Sequence, residues 1–224
     1  MIVGEHKPIR ELVAMIEGYD KILMVGCKGC VTVCNAGGKK EVAILGSALR
    51  IARRKQGKPI TIDELTLDRQ CEPEFIAWLD DPIKKNNYDA IISLACSIGP
   101  QYIAEAFDTM VVLPGLNTSF MGGTLEHGIW GEYCAACGSC EIQNFGGLCP
   151  ITRCAKGLLN GPCGGSVDGK CEVSEDLDCI WDLIYKRMKK LGQLDRLGQK
   201  IAAKDWSTSL SGGPRKIIRE DLTI

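Results

Sequence analysis

Thirteen cysteines in 224 residues, against only two histidines, set the chemistry open to this chain. Eight lie within 134–179, at Cys134, Cys137, Cys140, Cys149, Cys154, Cys163, Cys171 and Cys179. The glycine, proline and small polar residues around them bury little apolar surface, so something other than a hydrophobic core must hold the segment. Disulfides, zinc and iron–sulfur clusters are the three means available. The opening residues, MIVGEHKPIRELVAMIEGYD, lack a basic stretch followed by an apolar one, so no secretory signal and a cytoplasmic location are expected. Thiols stay reduced there, and an odd count fits poorly with a closed disulfide set. Metal or cluster ligation is the expected use.

Spacing narrows the choice. Zinc sites commonly pair two C-x2-C knuckles a dozen or more residues apart. Here Cys134, Cys137 and Cys140 form a C-x2-C-x2-C triplet with no second C-x2-C pair after it. Such a triplet wraps one cubane, as in bacterial ferredoxins, where a more distant Cys-Pro completes the set. Cys149-Pro150 has that form, though after eight intervening residues, so the fourth ligand stays unassigned. Glycines 138, 146, 147, 164, 165 and 169 let backbone N–H groups approach the sulfurs. Two [4Fe–4S] clusters are expected, with thiols enough for a third, and zinc is the alternative in this module. Cys163, within NGPCGG, could instead be a structural thiol.

The elements that must position the other five thiols, Cys27, Cys30, Cys34, Cys71 and Cys96, come before this segment. A leading helix is expected over 5–18, with Ile9, Leu12, Val13 and Ile16 on one face. KILMVG (21–26) reads as a buried parallel strand, followed by a C-x2-C-x3-C loop. Gly37-Gly38 opens a helix over 39–56, with Val42, Leu45, Leu49 and Ile51 inward and Gly57 as its cap. Strands follow at 60–67, 89–95 and 110–116, with helices at 73–86, carrying Phe75, Ile76, Trp78 and Leu79, and at 100–107. That alternation predicts an α/β fold, a Rossmann-like parallel sheet domain over 1–116. Cys27, Cys30 and Cys34 follow the first strand, Cys71 the second and Cys96 the third. All five therefore converge on the carboxyl-end rim, where such sheets place ligands. Cys71 and Cys96 each have a bland alternative as small buried hydrophobes.

Residues 117–133 are glycine-rich and aperiodic and read as a linker, with His127 an exposed or hydrogen-bonded residue within it. The Cys-rich iron–sulfur or zinc module spans 134–179. Ser174 is the expected N-cap of a helix running through Ile180, Trp181, Ile184, Met188 and Leu191. The region 180–224 thus holds a C-terminal helix and an extended tail whose Trp206, Ile217, Ile218, Leu222 and Ile224 suit docking on a partner.

Several functions are disfavoured. A net charge of −1 with mixed signs gives no electrostatic case for nucleic acid, and no run suits membrane insertion. The first strand-to-helix turn lacks G-x-G-x-x-G, which argues against a nucleotide. No Ser/His/Asp set and no paired carboxylates stand out; Asp68, Glu126 and Glu132 lie near Cys loops but read as solvated.

Three stretches carry a resemblance: VGCKGCVTVCNAGGKKEVAILGSALR, the later RQCEPEF and SLACSIGPQ, and CAACGSCEIQNFGGLCPITRCAKGLLNGPCGG. Together the chain resembles the small iron–sulfur subunit of the two-subunit, acetogen-type methylenetetrahydrofolate reductases. The last stretch is similar to their C-terminal Cys-rich module. The resemblance implies a TIM-barrel partner subunit that binds flavin and folate and carries the hydride chemistry, in anaerobic one-carbon metabolism of the Wood–Ljungdahl type. It implies that this chain passes electrons to that flavin, from ferredoxin or a further redox subunit, and has no catalytic residues of its own. Two other readings are a zinc-stabilised adaptor that anchors the flavoprotein, and an enzyme with an open iron site on the sheet rim.

Overall fold

The computed structural model describes residues 1–218 and 221. It divides into two compact units, Met1–Gly131 and Glu132–Ile224. In the first, strand β1 (Ile2–His6) leads to helix α1 (Ile9–Met15), then β2 (Lys21–Cys27), a single helical turn α2 (Cys30–Val33) and α3 (Lys39–Lys55). The chain continues through β3 (Thr61–Leu67), α4 (Pro73–Ile76), α5 (Asp80–Asn86), β4 (Ala90–Leu94), α6 (Ile98–Ala106) and β5 (Val111–Pro114). It ends in the long strand β6 (Leu116–Glu126) and β7 (Ile129–Cys134).

The central sheet is parallel and four-stranded, in the order β3-β2-β4-β5. The chain steps from β2 outward to β3, then returns to the other side of β2 as β4. The carboxyl ends of β2 and β4 therefore border the point where strand order reverses, the usual place for a ligand in such sheets. β2 is buried from Ile22 to Cys27 because both faces are covered. Ile22 and Met24 join one core with Leu12, Ile16, Val42, Leu45 and Leu49. Leu23 and Val25 join the other with Leu67, Ile76, Leu79, Ile91 and Ile103.

Helix α3 ends as its sequence demands. Lys58 N–H bonds the carbonyl of Arg53 and Gly57 N–H that of Arg54, with Gly57 at φ +72°, a Schellman closure. Its inward stripe is Val42, Leu45, Leu49 and Arg53, however, and Ile51 is 58% exposed. Ile51 lies off the stripe by half a turn, so its apolar side chain faces out. Trp78 is likewise exposed, because the 73–86 segment breaks into α4, a 3-10 turn and α5.

Two further expectations are corrected. The leading helix is shorter than 5–18, since residues 2–6 pair antiparallel with β6, His6 opposite Leu116 and Ile2 opposite Met121. Residues 117–133 are thus not a linker but strands of a second, three-stranded sheet ordered β1-β6-β7. Glycine serves close approach there: a Cβ on Gly122 would fall on the carbonyl oxygen of Gly131.

The second unit has little regular structure. It holds α7 (Pro150–Arg153), the short hairpin β8 (Lys170–Cys171) and β9 (Ser174–Asp178), and α8 (Ile180–Lys190). Ser174 therefore begins a strand, and Cys179 occupies the N-cap position of α8. Ile180, Trp181, Ile184 and Met188 pack with Phe145, whose ring meets Trp181 edge-on at 5.4 Å.

Candidate functional site

At the carboxyl rim of the parallel sheet, register fixes the approach of three loops. Cys27 is the last residue of β2, opposite Leu67 of β3, and Lys28 N–H continues the ladder to the Leu67 carbonyl at 2.9 Å. The Lys28 ammonium also reaches the Asp68 carboxylate at 2.5 Å, so the loops after β2 and β3 are joined twice. Gly37 lets the returning loop press on β4, since a Cβ there would meet the Leu94 carbonyl oxygen at 2.0 Å.

A buried polar knot holds the loop that carries Cys71. Gln70, 1% exposed, donates its amide to the carbonyls of Val25 and Gly26, both at 2.9 Å. Its Oε1 accepts from Ser93 Oγ at 2.6 Å. One side chain thereby ties the end of β3 to β2 and β4. Neither Gln70 nor Ser93 was among the sequence candidates. The available signal was a serine inside the apolar run DAIISLA, which demands a buried partner.

Four thiols gather here. Burial pushes the Cys71 thiol above its ordinary pKa, with Cys27 and Cys96 close enough to raise it further. Burial also raises Cys96, to which Cys27 and Cys30 add, while the N–H groups of Ile98 and Gly99 at the start of α6 oppose the shift. Gly29 N–H points to Cys27 Sγ at 3.4 Å, and a Cβ on Gly29 would sit 3.3 Å from that sulfur. Clustered thiolates repel, and a cationic centre turns that repulsion into binding. An all-sulfur donor set receiving backbone N–H bonds fits a metal or cluster.

Cys34 does not join them. Its sulfur is buried in the core and faces β1: Gly4 N–H donates to it at 3.5 Å, and its S–H has the Gly4 and Val31 carbonyls at 3.5 and 3.6 Å. Cys34 thus stands apart from the other two thiols of the C-x2-C-x3-C loop. The turn of α2 places Cys30 toward the rim and Cys34 behind it.

In the second unit four of the eight thiols share one cavity. Cys154, Cys163, Cys171 and Cys179 line one enclosed cavity beside α8. Cys134 ends β7, Cys137 and Cys140 lie in the loop after it, and Cys149 stands at the head of α7 with Sγ 3.8 Å from Thr152 Oγ1. The tail folds back over this loop: Thr208 Oγ1 donates to the Cys137 carbonyl at 3.0 Å and Arg215 to that of Ala136 at 2.9 Å. Lys204 reaches the Ser139 carbonyl at 2.5 Å. The tail is therefore partly engaged within its own unit. Ile217 and Ile218 remain exposed, and Leu222 and Ile224 lie outside the described residues.

The same backbone device recurs at three of the thiols. The N–H two residues on donates to sulfur at Cys27 (from Gly29), Cys134 (from Ala136) and Cys163 (from Gly165), at 3.4–3.5 Å. Among the described residues no three His, Cys, Asp or Glu side chains are drawn to coordination distance of one point. The thiols are gathered by the backbone but not clenched.

Fold and thiols together define an α/β chain with a parallel four-stranded sheet and a thiol-rich C-terminal unit. Residues 113–207, less than half of the chain, match the family described as methylene-tetrahydrofolate reductase C terminal. That segment contains all eight C-terminal cysteines, and it is similar to the C-terminal domain of those reductases. No curated protein and no solved structure matches the chain. Among the described residues, no helix is long and apolar enough to cross a membrane.

Proposed function

We propose that this chain is an iron–sulfur accessory subunit of a methylenetetrahydrofolate reductase, delivering electrons to a flavin-bearing catalytic subunit that reduces methylenetetrahydrofolate to methyltetrahydrofolate. The observation that carries the reading is the convergence of Cys27, Cys30, Cys71 and Cys96 on one rim, from three successive strand ends. These four are the expected ligands of a [4Fe–4S] cluster, which when bound accepts and releases single electrons. The chain's own part is to fix the sulfurs through Gln70 and the strand register. The N–H groups of Gly29, Ile98 and Gly99 stabilise negative charge on sulfur, which favours the reduced form. The match of 113–207 to a reductase C-terminal domain supports the partner: a flavoprotein of that system, with ferredoxin or a further redox subunit as donor.

The test is metal analysis of anaerobically purified full-length protein. Iron and acid-labile sulfide in equal amounts, with a visible band that bleaches on dithionite, are expected. Cys71→Ser and Cys96→Ser should each lose one cluster's worth of iron, and Cys34→Ser should lose none. Protein without iron, or iron lost equally in Cys34→Ser, overturns the ligand set.

A further inference from the structure

Two adjoining cavities of the second unit carry groups that the electron-transfer reading leaves unused. The larger, of about 550 Å³, lies between the 161–169 loop and α8. The smaller, of about 330 Å³, lies against the 196–201 segment. They share Gly161, Trp181 and Leu197 as walls. Both fall in the size range of clefts that hold small molecules. Their walls are tied down. The Trp181 indole donates to the Leu158 carbonyl at 3.2 Å, and a Cβ on Gly161 would sit 2.4 Å from that ring. Asn160 clasps Ile201 twice, donating to its carbonyl and accepting from its N–H, both at 2.8 Å.

The two ends differ in charge. Asp168 and Asp182 line the larger cavity, with the rings of Pro162, Trp181 and Tyr185 beside them. Asp168 stands in a tight turn at φ +49°, closed by paired backbone bonds between Val167 and Lys170. That turn is pressed onto α8, since a Cβ on Gly169 would lie 3.0 Å from Asp182 Oδ2. Lys186 pairs with Asp182 at 2.7 Å, whereas Asp168 forms no ion pair among the described residues. One negative charge is therefore left over. Arg196 and Lys200 line the smaller cavity. Arg196 donates to the neutral amide oxygens of Asn144 and Gln193, both at 3.3 Å, so its charge is not cancelled.

An ionised carboxylate only accepts hydrogen bonds, and its two oxygens suit two adjacent N–H donors on one planar edge. Aromatic walls favour a flat ring over a bare ammonium. The basic end calls for an anion. We propose that the paired cavities bind a fused 2-amino-4-oxopyrimidine ring carrying an anionic tail, with the amino edge on Asp168 and the tail toward Arg196 and Lys200. Pterins with a glutamate tail and guanine nucleotides share that chemistry. The site goes beyond the electron-transfer reading and involves no metal, so iron content decides one and ligand binding the other.

Binding to the full-length chain is measured by equilibrium dialysis with two ring ligands, 5-methyltetrahydrofolate and guanosine monophosphate. Each is paired with its tail alone, p-aminobenzoylglutamate and ribose 5-phosphate. At least one ring ligand should bind with a Kd below about 1 mM, and its tail about tenfold more weakly or worse. Binding of the folate alone assigns a pterin source, and binding of the nucleotide alone a purine source. Asp168→Asn keeps the turn, because Asn tolerates positive φ, and should weaken the ring ligand about tenfold. Arg196→Gln should weaken ring ligand and tail alike. Absence of binding by both ring ligands, a tail that binds as tightly as its ring ligand, or wild-type affinity in Asp168→Asn overturns the site. The comparison of ligand with tail uses wild-type protein, so a misfolded variant does not shelter the proposal.

Discussion

The two units gather cysteines in opposite ways. In the first, a parallel sheet brings sulfurs together as a by-product of its own hydrogen bonding. Cys27 ends β2, Cys71 and Cys96 follow β3 and β4, and those strands are held by large apolar cores on both faces. In the second, six well-buried side chains around α8 form the core, and most of the chain is turns. A scaffold that folds on apolar burial can position ligands before any metal arrives. A segment without that burial needs the metal to supply folding free energy. The difference predicts which unit depends on its metal.

The largest expected effect follows directly. Withdrawing metal from the full chain with a strong chelator should open residues 132–224 to limited proteolysis and leave 1–131 protected. Structural zinc contributes about 10–16 kcal/mol in zinc-finger peptides, far more than this small core supplies. Cleavage spread evenly over both units would erase the contrast.

Conversely, the first unit should answer to its core. Leu49→Ala, at a fully buried position of α3, should cost about 2–5 kcal/mol in urea unfolding. Ile51→Ala, two residues on and facing solvent, should stay within about 0.5 kcal/mol. A large loss in Ile51→Ala would restore the inward placement that the sequence suggested.

Next in size, Gln70→Leu removes the partner of Ser93 and the bonds to Val25 and Gly26. The expected cost is about 1–3 kcal/mol, from polar groups left buried and unpaired. Rim iron should become more easily lost, because the Cys71 loop is freed. Unchanged iron retention would show that strand register alone suffices.

The smallest effect is a pH dependence confined to the first unit. Asp89 accepts the N–H groups of Asp20 and Lys21 at 2.9 and 2.8 Å, and these bonds hold its carboxyl below the ordinary carboxylate range. Its contribution is therefore complete above the unfolded pKa, about 3.9, and is lost as pH falls through the lower folded value. Asp89→Asn should lower stability slightly at neutral pH and make the acid limb of the unfolding curve shallower. A steeper limb would contradict the assignment.

Local patterns carried much of the first unit. The apolar run KILMVG, the DAIISLA strand and the Gly57 cap each follow from short-range sequence, and all stand where expected. Long-range pairing was not legible. Residues 117–133 lack alternation because glycines permit close strand approach, and β1 finds its partner β6 more than a hundred residues away. Ser174 has the chemistry of a helix cap, but the bulged pairing of β8 and β9 draws it into a strand.

The sequence by itself determined the chemistry: an all-thiol donor set, almost without histidine, on a chain whose strand–helix alternation sends three Cys loops to one edge. Those are properties of residue type and local period. Which sulfurs come near one another was decided only by tertiary structure. One turn of α2 sends Cys34 into the core and Cys30 to the rim. In the second unit, Cys154, Cys163, Cys171 and Cys179 line one cavity beside α8, a grouping that no spacing rule would make. Spacing measures distance along the chain, and ligands are chosen by distance through space.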